Sequence, residues 1–197
     1  MSTGGFHRRV RRRPVARTHR LIKVATLVLF FAMTSVRLGT QALAPQSNEY
    51  EVKAAFLFNF AKYVQWPAER FTGDDAPIIV GVVGASPGGS AIEQAMNGKT
   101  ANGRPLQIRR FPTARAVTSC HILFVSASQS DDLRQILAAA GPSSLTVGET
   151  DRFAQMGGII TFTVVGSKVR FDINQTDAKK GGLKISAKLL SLARNVR

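Results

Sequence analysis

The chain has 197 residues, with 27 Lys and Arg against 12 Asp and Glu, and a formal charge of +15. Its single cysteine, Cys120, excludes an intrachain disulfide, and beside it only one of the three histidines, His121, lies outside the N-terminal leader, a poor inventory for a structural zinc site, which takes four Cys or His ligands. The charge is no nucleic-acid signature: nine basic residues and no acid fall within positions 1–44, which leaves 18 against 12, or +6, scattered singly or in pairs.

Residues 1–20 are basic and carry Arg8, Arg9, Arg11, Arg12, Arg13, Arg17 and Arg20. An apolar run from Val24 to Val36 follows, then Ala42-Leu43-Ala44 before Pro45. Thirteen residues fall short of the roughly 20 that a membrane-spanning helix needs. A charged region, a short apolar core and an A-x-A site together describe a secretory signal, so positions 1–44 are expected to be cleaved near Ala44 on export from the cytoplasm. Residues 45–48 then form a linker, and 49–197 form one domain of a size that suits a single core.

From Glu49 to Trp66 the pattern is helical, and Pro67 ends it. At 100° per residue, Phe56, Leu57, Phe60, Tyr63 and Val64 share one apolar arc. Phe58 lands on the opposite side with Lys62, and Trp66 lies at its edge. Either later segments cover Phe58 and Trp66, or they form an exposed aromatic pair with Lys62 that anchors a partner. Pro77 to Gly84 is a continuous β-branched run that suits a strand buried on both faces. Gly84, Ser86, Gly88, Gly89 and Ser90 form a turn before a helix that runs to about Gly98. Such a turn can hold an anion or nucleotide-like ligand with backbone N–H groups. Its spacing matches no phosphate-loop pattern, so a tight strand-to-helix turn capped by Ser86 or Ser90 is the plainer expectation.

Arg104 to Phe111 alternates as a strand, and Cys120 to Val125 reads as a central one. Ser130 is placed to cap a helix that Gly141-Pro142 stops. Leu145 to Val147 is a short strand, and 150–156 a turn or short helix. Ile159 to Val165 and Lys168 to Ile173 flank Gly166-Ser167, a hairpin signal. Leu183 to Val196 is expected to be a final helix. The order predicts an α/β three-layer sandwich, its sheet largely parallel, with an antiparallel edge hairpin and a C-terminal helix.

Of the three histidines, His7 and His19 leave with the signal, and His121 adjoins Cys120 on a strand. Neighbouring strand residues point to opposite faces, so the two cannot pair as thiol and imidazole. There is no G-x-S-x-G elbow, and Asp74-Asp75 and Asp131-Asp132 sit where loops and helix starts attract acids. No catalytic set, metal site or cofactor motif emerges, and a buried, inert Cys120 is expected.

Five blocks in order carry a family resemblance: YEVKAAFLFNFAKYVQWP (50–67), VGVVGASPGGSAIEQAMNGK (80–99), CHILFVSAS (120–128), LTVGETDRFAQMGGIITF (145–162) and VRFDINQTDAKKGGLKISAKLLSLA (169–193). The chain resembles the YfiR-like family of periplasmic signalling proteins. The resemblance implies a non-enzymatic domain that restrains an inner-membrane partner, a diguanylate cyclase or other sensor protein, and so lowers cyclic-di-GMP and surface attachment. It also implies control by an outer-membrane lipoprotein, and in the best-known member disulfides, for which this chain lacks a second cysteine. Arg170, Asp172 and Asn174 of the RFDIN stretch are candidates to face the partner, although tying down the hairpin is the favoured role. A small-molecule sensor, with its ligand at the Gly84–Ser90 turn, is the alternative. Homodimerisation is left open.

Overall fold

The computed structural model describes Met1, residues 44–85 and residues 90–197, with side chains from Asn48 onward. Helix α1, Ala44–Tyr63, opens the domain. It starts five residues before the expected Glu49, so the expected linker 45–48 lies inside it. Leu57, Phe60 and Val64 of the apolar arc are fully buried. The helix stops at Tyr63, short of Pro67, because β1 (Val64–Gln65) leaves it to pair antiparallel with β9 (Lys184–Ile185).

The main sheet begins with β2, Ile78–Val83, whose β-branched run is covered on both faces as its composition requires. Helix α2 (Ala91–Met96), β3 (Thr100–Ala101) and β4 (Arg104–Phe111) follow. Then come β5 (Ile122–Val125), α3 (Leu133–Ala140), β6 (Leu145–Gly148) and α4 (Asp151–Gln155). The hairpin strands β7 (Ile160–Val165) and β8 (Lys168–Ile173) precede α5 (Gln175–Lys180), β9, α6 (Ala187–Leu190) and β10 (Asn195–Val196). The spatial order is β10-β8-β7-β6-β5-β2-β4-β3. From β4 to β7 all neighbours are parallel. The chain winds from β2 out to β4, then returns past β2 to β5, so the order reverses between β2 and β5, as in doubly wound sheets.

Two cores fill the space on either side of the sheet, which makes three layers. One gathers Phe60, Val80, Ile122, Phe124, Phe162 and Phe171 under α1. The other gathers Val83, Leu123, Val125, Leu133, Ile136 and Phe153 under α3 and α4. Cys120 belongs to the second core, while His121 rests against Trp66 and Phe71 near the first. The two side chains diverge as strand alternation dictates.

Two further expectations need correction. The final helix of 183–196 does not form. Gly182 (φ 73°) follows α5, Ser186 Oγ accepts from Leu189 N to start a single helical turn, and Arg194 and Asn195 are drawn to Asp172 so that the chain ends as a strand. Ser130 caps no helix: α3 starts at Leu133 with Asp132 in the cap position, and a 3-10 turn at Ala127–Gln129 intervenes. The antiparallel hairpin lies towards one edge of the sheet as expected, with only the two-residue β10 parallel outside β8, and β3 pairs antiparallel with β4 at the other edge.

Candidate functional site

The reversal between β2 and β5 places the carboxyl ends of β2, β5 and β6 side by side, the position where doubly wound sheets build ligand crevices. The chain leaves β2 at Gly84 in the left-handed region (φ 90°), and a Cβ there would stand 2.6 Å from Gln129 Cγ and 2.7 Å from Ser128 Oγ. Only glycine fits such a position without strain. The turn is tied to the end of β5: Ser128 Oγ accepts from Ala85 N at 3.1 Å, and Ser126 Oγ donates to Ala85 O at 2.5 Å. At the far end Ser90 occupies the N-cap of α2 but makes no side-chain cap, since its Oγ accepts from Gln94 Nε2 at 2.8 Å. Ser86, Gly88 and Gly89 of the candidate ligand turn lie outside the described residues.

Beside this turn stands a cluster that was not singled out in the sequence. Glu149, immediately after β6, has a nearly buried carboxylate. It accepts from Lys53 Nζ at 2.5 Å, Tyr50 Oη at 3.1 Å and Ala127 N at 2.9 Å. Lys53 is itself buried, pairs also with Glu49 at 2.5 Å, and lies over the Tyr50 ring at 4.5 Å. Burial and the Glu149 carboxylate push the Tyr50 phenol well above its usual range. One carboxylate therefore joins α1, the β5 turn and the end of β6. A cleft of about 500 Å³ opens above it, with Asp151 and Thr163 on its walls. A signal for Lys53 was present: it lies between Leu57 and Phe60 on the helical wheel, a charge in the middle of the apolar arc, and such a charge needs a buried carboxylate.

The candidate residues of α1 separate. Phe58 is half-buried, with Lys99 Nζ 4.8 Å and Lys62 Nζ 5.6 Å from its ring centre, so it and Lys62 share a cationic, aromatic surface. Trp66 does not join them. It is 9% exposed, and its Nε1 donates to His121 O at 2.9 Å.

The RFDIN stretch also divides. Asp172 accepts a two-pronged bond from Arg194 (Nε at 2.9 Å, Nη2 at 2.5 Å) and a third from Asn195 at 3.0 Å. The Arg194 bond holds the Asp172 carboxyl below the usual carboxylate range. Asn174 caps α5 by accepting from Asp177 N at 3.0 Å. Arg170 alone of the three is exposed and carries no bonded carboxylate among the described residues.

His121 Nδ1 accepts from Ile79 N at 3.0 Å, and its ring stacks on Phe71, whose other contact is Arg104 at 3.9 Å. Burial, then the Arg70 charge, pushes the imidazole down to about 4. Burial pushes the Cys120 thiol up to about 11. The Nδ1 lone pair of the imidazole is taken up by the Ile79 N–H, and the Cys120 thiol stays protonated in the other core, so the two adjacent residues do not form a thiol–imidazole pair. Among the described residues no group of three His, Cys, Asp or Glu could hold a metal, and no helix is long and apolar enough to cross a membrane.

Two solved structures are similar to part of this chain. One is a conserved domain protein from Vibrio cholerae O1 biovar eltor, 14% identical with a TM-score of 0.48, covering 78% of this chain. The other is the ABC domain in complex with L-Trp from Streptococcus pneumonia, 12% identical with a TM-score of 0.45, covering 60% of this chain. The chain spans 60% and 55% of those two chains, and likenesses so slight carry no weight for its function. No curated protein matches it in sequence. The model of the YfiR/HmsC-like family, by contrast, matches residues 50–194, from the first turns of α1 to the approach to β10, and the chain belongs to that family of signalling regulators.

Proposed function

We propose that the domain acts in the periplasm as a non-enzymatic restraint on an inner-membrane signalling protein, a diguanylate cyclase, and so lowers cyclic-di-GMP and surface attachment. Membership of the YfiR/HmsC-like family over residues 50–194 carries the reading. The chemistry supports it from a second side. Lys53 and Glu149 are engaged with each other, His121 is held neutral and Cys120 is held as a thiol. A regulator that holds one state of its partner needs only a surface that prefers that state. An outer-membrane lipoprotein competing for the same domain would lift the restraint. Because Cys120 is the only cysteine, that release does not run through an internal disulfide.

The test is cellular cyclic-di-GMP with the gene intact, deleted, and restored with or without residues 1–44. The level should rise on deletion, fall on restoration of the full gene, and stay high with the leaderless copy. An unchanged level on deletion removes the cyclase from the reading; a fall with the leaderless copy removes the periplasm.

A further inference from the structure

Strand β8 carries an unfinished edge. Asn174 N donates to Ile159 O at 2.7 Å beside the Ile160–Ile173 pair. Ile160 and Ile173, Phe162 and Phe171, and Val164 and Val169 are therefore the pairs that exchange no backbone bonds with each other. It follows that Ile173, Phe171 and Val169 turn their own N–H and C=O groups away from β7. At one end β10 uses them: Arg197 N donates to Ile173 O at 3.0 Å and Arg194 N to Phe171 O at 2.8 Å. Strand β10 pairs with Asp172 and Ile173 only. Val169 N–H and Val169 C=O thus face outward with no strand against them among the described residues, whereas Phe171 is 1% exposed and belongs to the core.

The side chains along this edge differ by face. Val169 lines a cleft of about 580 Å³ between the hairpin and the first turns of α1, together with Val52, Phe56 and Val164. Lys168 and Arg170 alternate with it, are exposed, and bond no carboxylate among the described residues. The exposed large apolar side chains described after Met1 are Val52, Val164, Val165, Leu192 and Val196. All of them belong to the hairpin, to the helix beside it or to the segment that ends in β10. Clustered apolar exposure beside open backbone donors and acceptors is the geometry of strand addition.

A second copy is a poor occupant. Antiparallel pairing of two β8 edges would set Lys168 and Arg170 of one chain against the same residues of the other, and like charges directly opposed across strands repel. We propose that the Lys168–Arg170 edge of β8 takes an extended segment of a protein partner, in which apolar residues enter the Val52–Val164–Val169 cleft and acidic residues alternate with them to face Lys168 and Arg170. This surface deepens the proposed restraint by naming where the partner is held, and it rests on that reading for the identity of the partner alone.

The protein purified from its host should bind a short fluorescent peptide of alternating glutamate and valine, read by anisotropy, and should not bind its lysine–valine counterpart. The double variant Lys168→Glu, Arg170→Glu should weaken binding roughly tenfold or more. Val169→Pro deletes an outward N–H and leaves the β7 ladder intact, as edge strands allow, and should weaken binding as much. Equal binding of both peptides, or charge-reversed protein that binds like the wild type, overturns the proposal. Should Val169→Pro melt early, the charge-reversed pair decides by itself. A wild-type dimer that Val169→Pro splits in sedimentation also overturns it, since the edge would then belong to a second copy. In cells the charge-reversed variant should raise cyclic-di-GMP as deletion does. If deletion itself changes nothing, the cyclase reading has failed, and the peptide result still decides the edge.

Discussion

Lys53 sits where a helical wheel allows only apolar residues, and it is tolerated because Glu149 meets it from 96 positions away. The helix half of that pair was legible: a lysine between Leu57 and Phe60 demands a buried acid. The identity of the acid was not legible, because the end of β6 reaches α1 only after the sheet is assembled. Removing one partner of a buried pair strands the other charge, at a cost of about 3–5 kcal/mol. Glu149→Ala should reach that range in urea unfolding, because it also orphans Tyr50 Oη and Ala127 N. In a Lys53→Met background the same change should cost at least about 1 kcal/mol less, the coupling expected of residues in one network. Strictly additive costs would show that the two do not act as a pair. Trp66 teaches a related lesson. The wheel was extended to it, but α1 ends at Tyr63, so the angle assigned to Trp66 had no physical meaning and its indole turned inward to His121.

At the scale of elements, the strands were legible wherever they were long. β2, β4, β5, β7 and β8 match the runs read from β-branched content and alternation to within two residues at each end. The C-terminal segment was not. Its leucines recur at helical spacing, yet one helical turn and two short strands form because Ser186, Gly182 and the Asp172–Arg194 bond impose the boundaries. The Asn102-Gly103 turn between β3 and β4, with φ of 53° and 79°, carries a strong hairpin signal, but β3 is only two residues long and leaves no alternating run before it. Helix α4 docks through one ring. Phe153 is 1% exposed, and a Cβ at Gly158 would stand 2.0 Å from its Cε1 and 2.3 Å from its Cδ1. Gly158→Ala should therefore cost about 3 kcal/mol or more by overpacking. In a Phe153→Leu background, where the flat ring is gone, the alanine should cost less than about 1.5 kcal/mol. An equal cost in both backgrounds would move the cause from the ring to the backbone.

For the whole molecule, the three-layer arrangement was legible because it follows from element order, while the joint that locks the layers was not. His121 is that joint. Its carbonyl accepts from Trp66 just beyond α1, its Nδ1 accepts from Ile79 of β2, its ring lies on Phe71, and its backbone N–H and C=O bond Ile79 and Leu145. Burial, helped by the positive charges of Arg70 and Arg104 facing it, holds its pKa near 4 in the folded state, against 6.5 for the free side chain. Between those two values the unfolded chain binds the extra proton and the folded one does not, so stability falls as pH drops from 6.5 towards 4. The whole shift corresponds to about 3 kcal/mol, complete once pH is below both values. Asp172, Asp177 and Glu93, whose folded-state values are lowered, lose their contribution at more acid pH, as each carboxylate takes up its proton. Urea unfolding of the wild type should show the fall between pH 6.5 and 4, and His121→Gln, which keeps an acceptor without a titrating ring, should flatten it. If the fall between pH 6.5 and 4 persists in His121→Gln, its source is not the His121 imidazole.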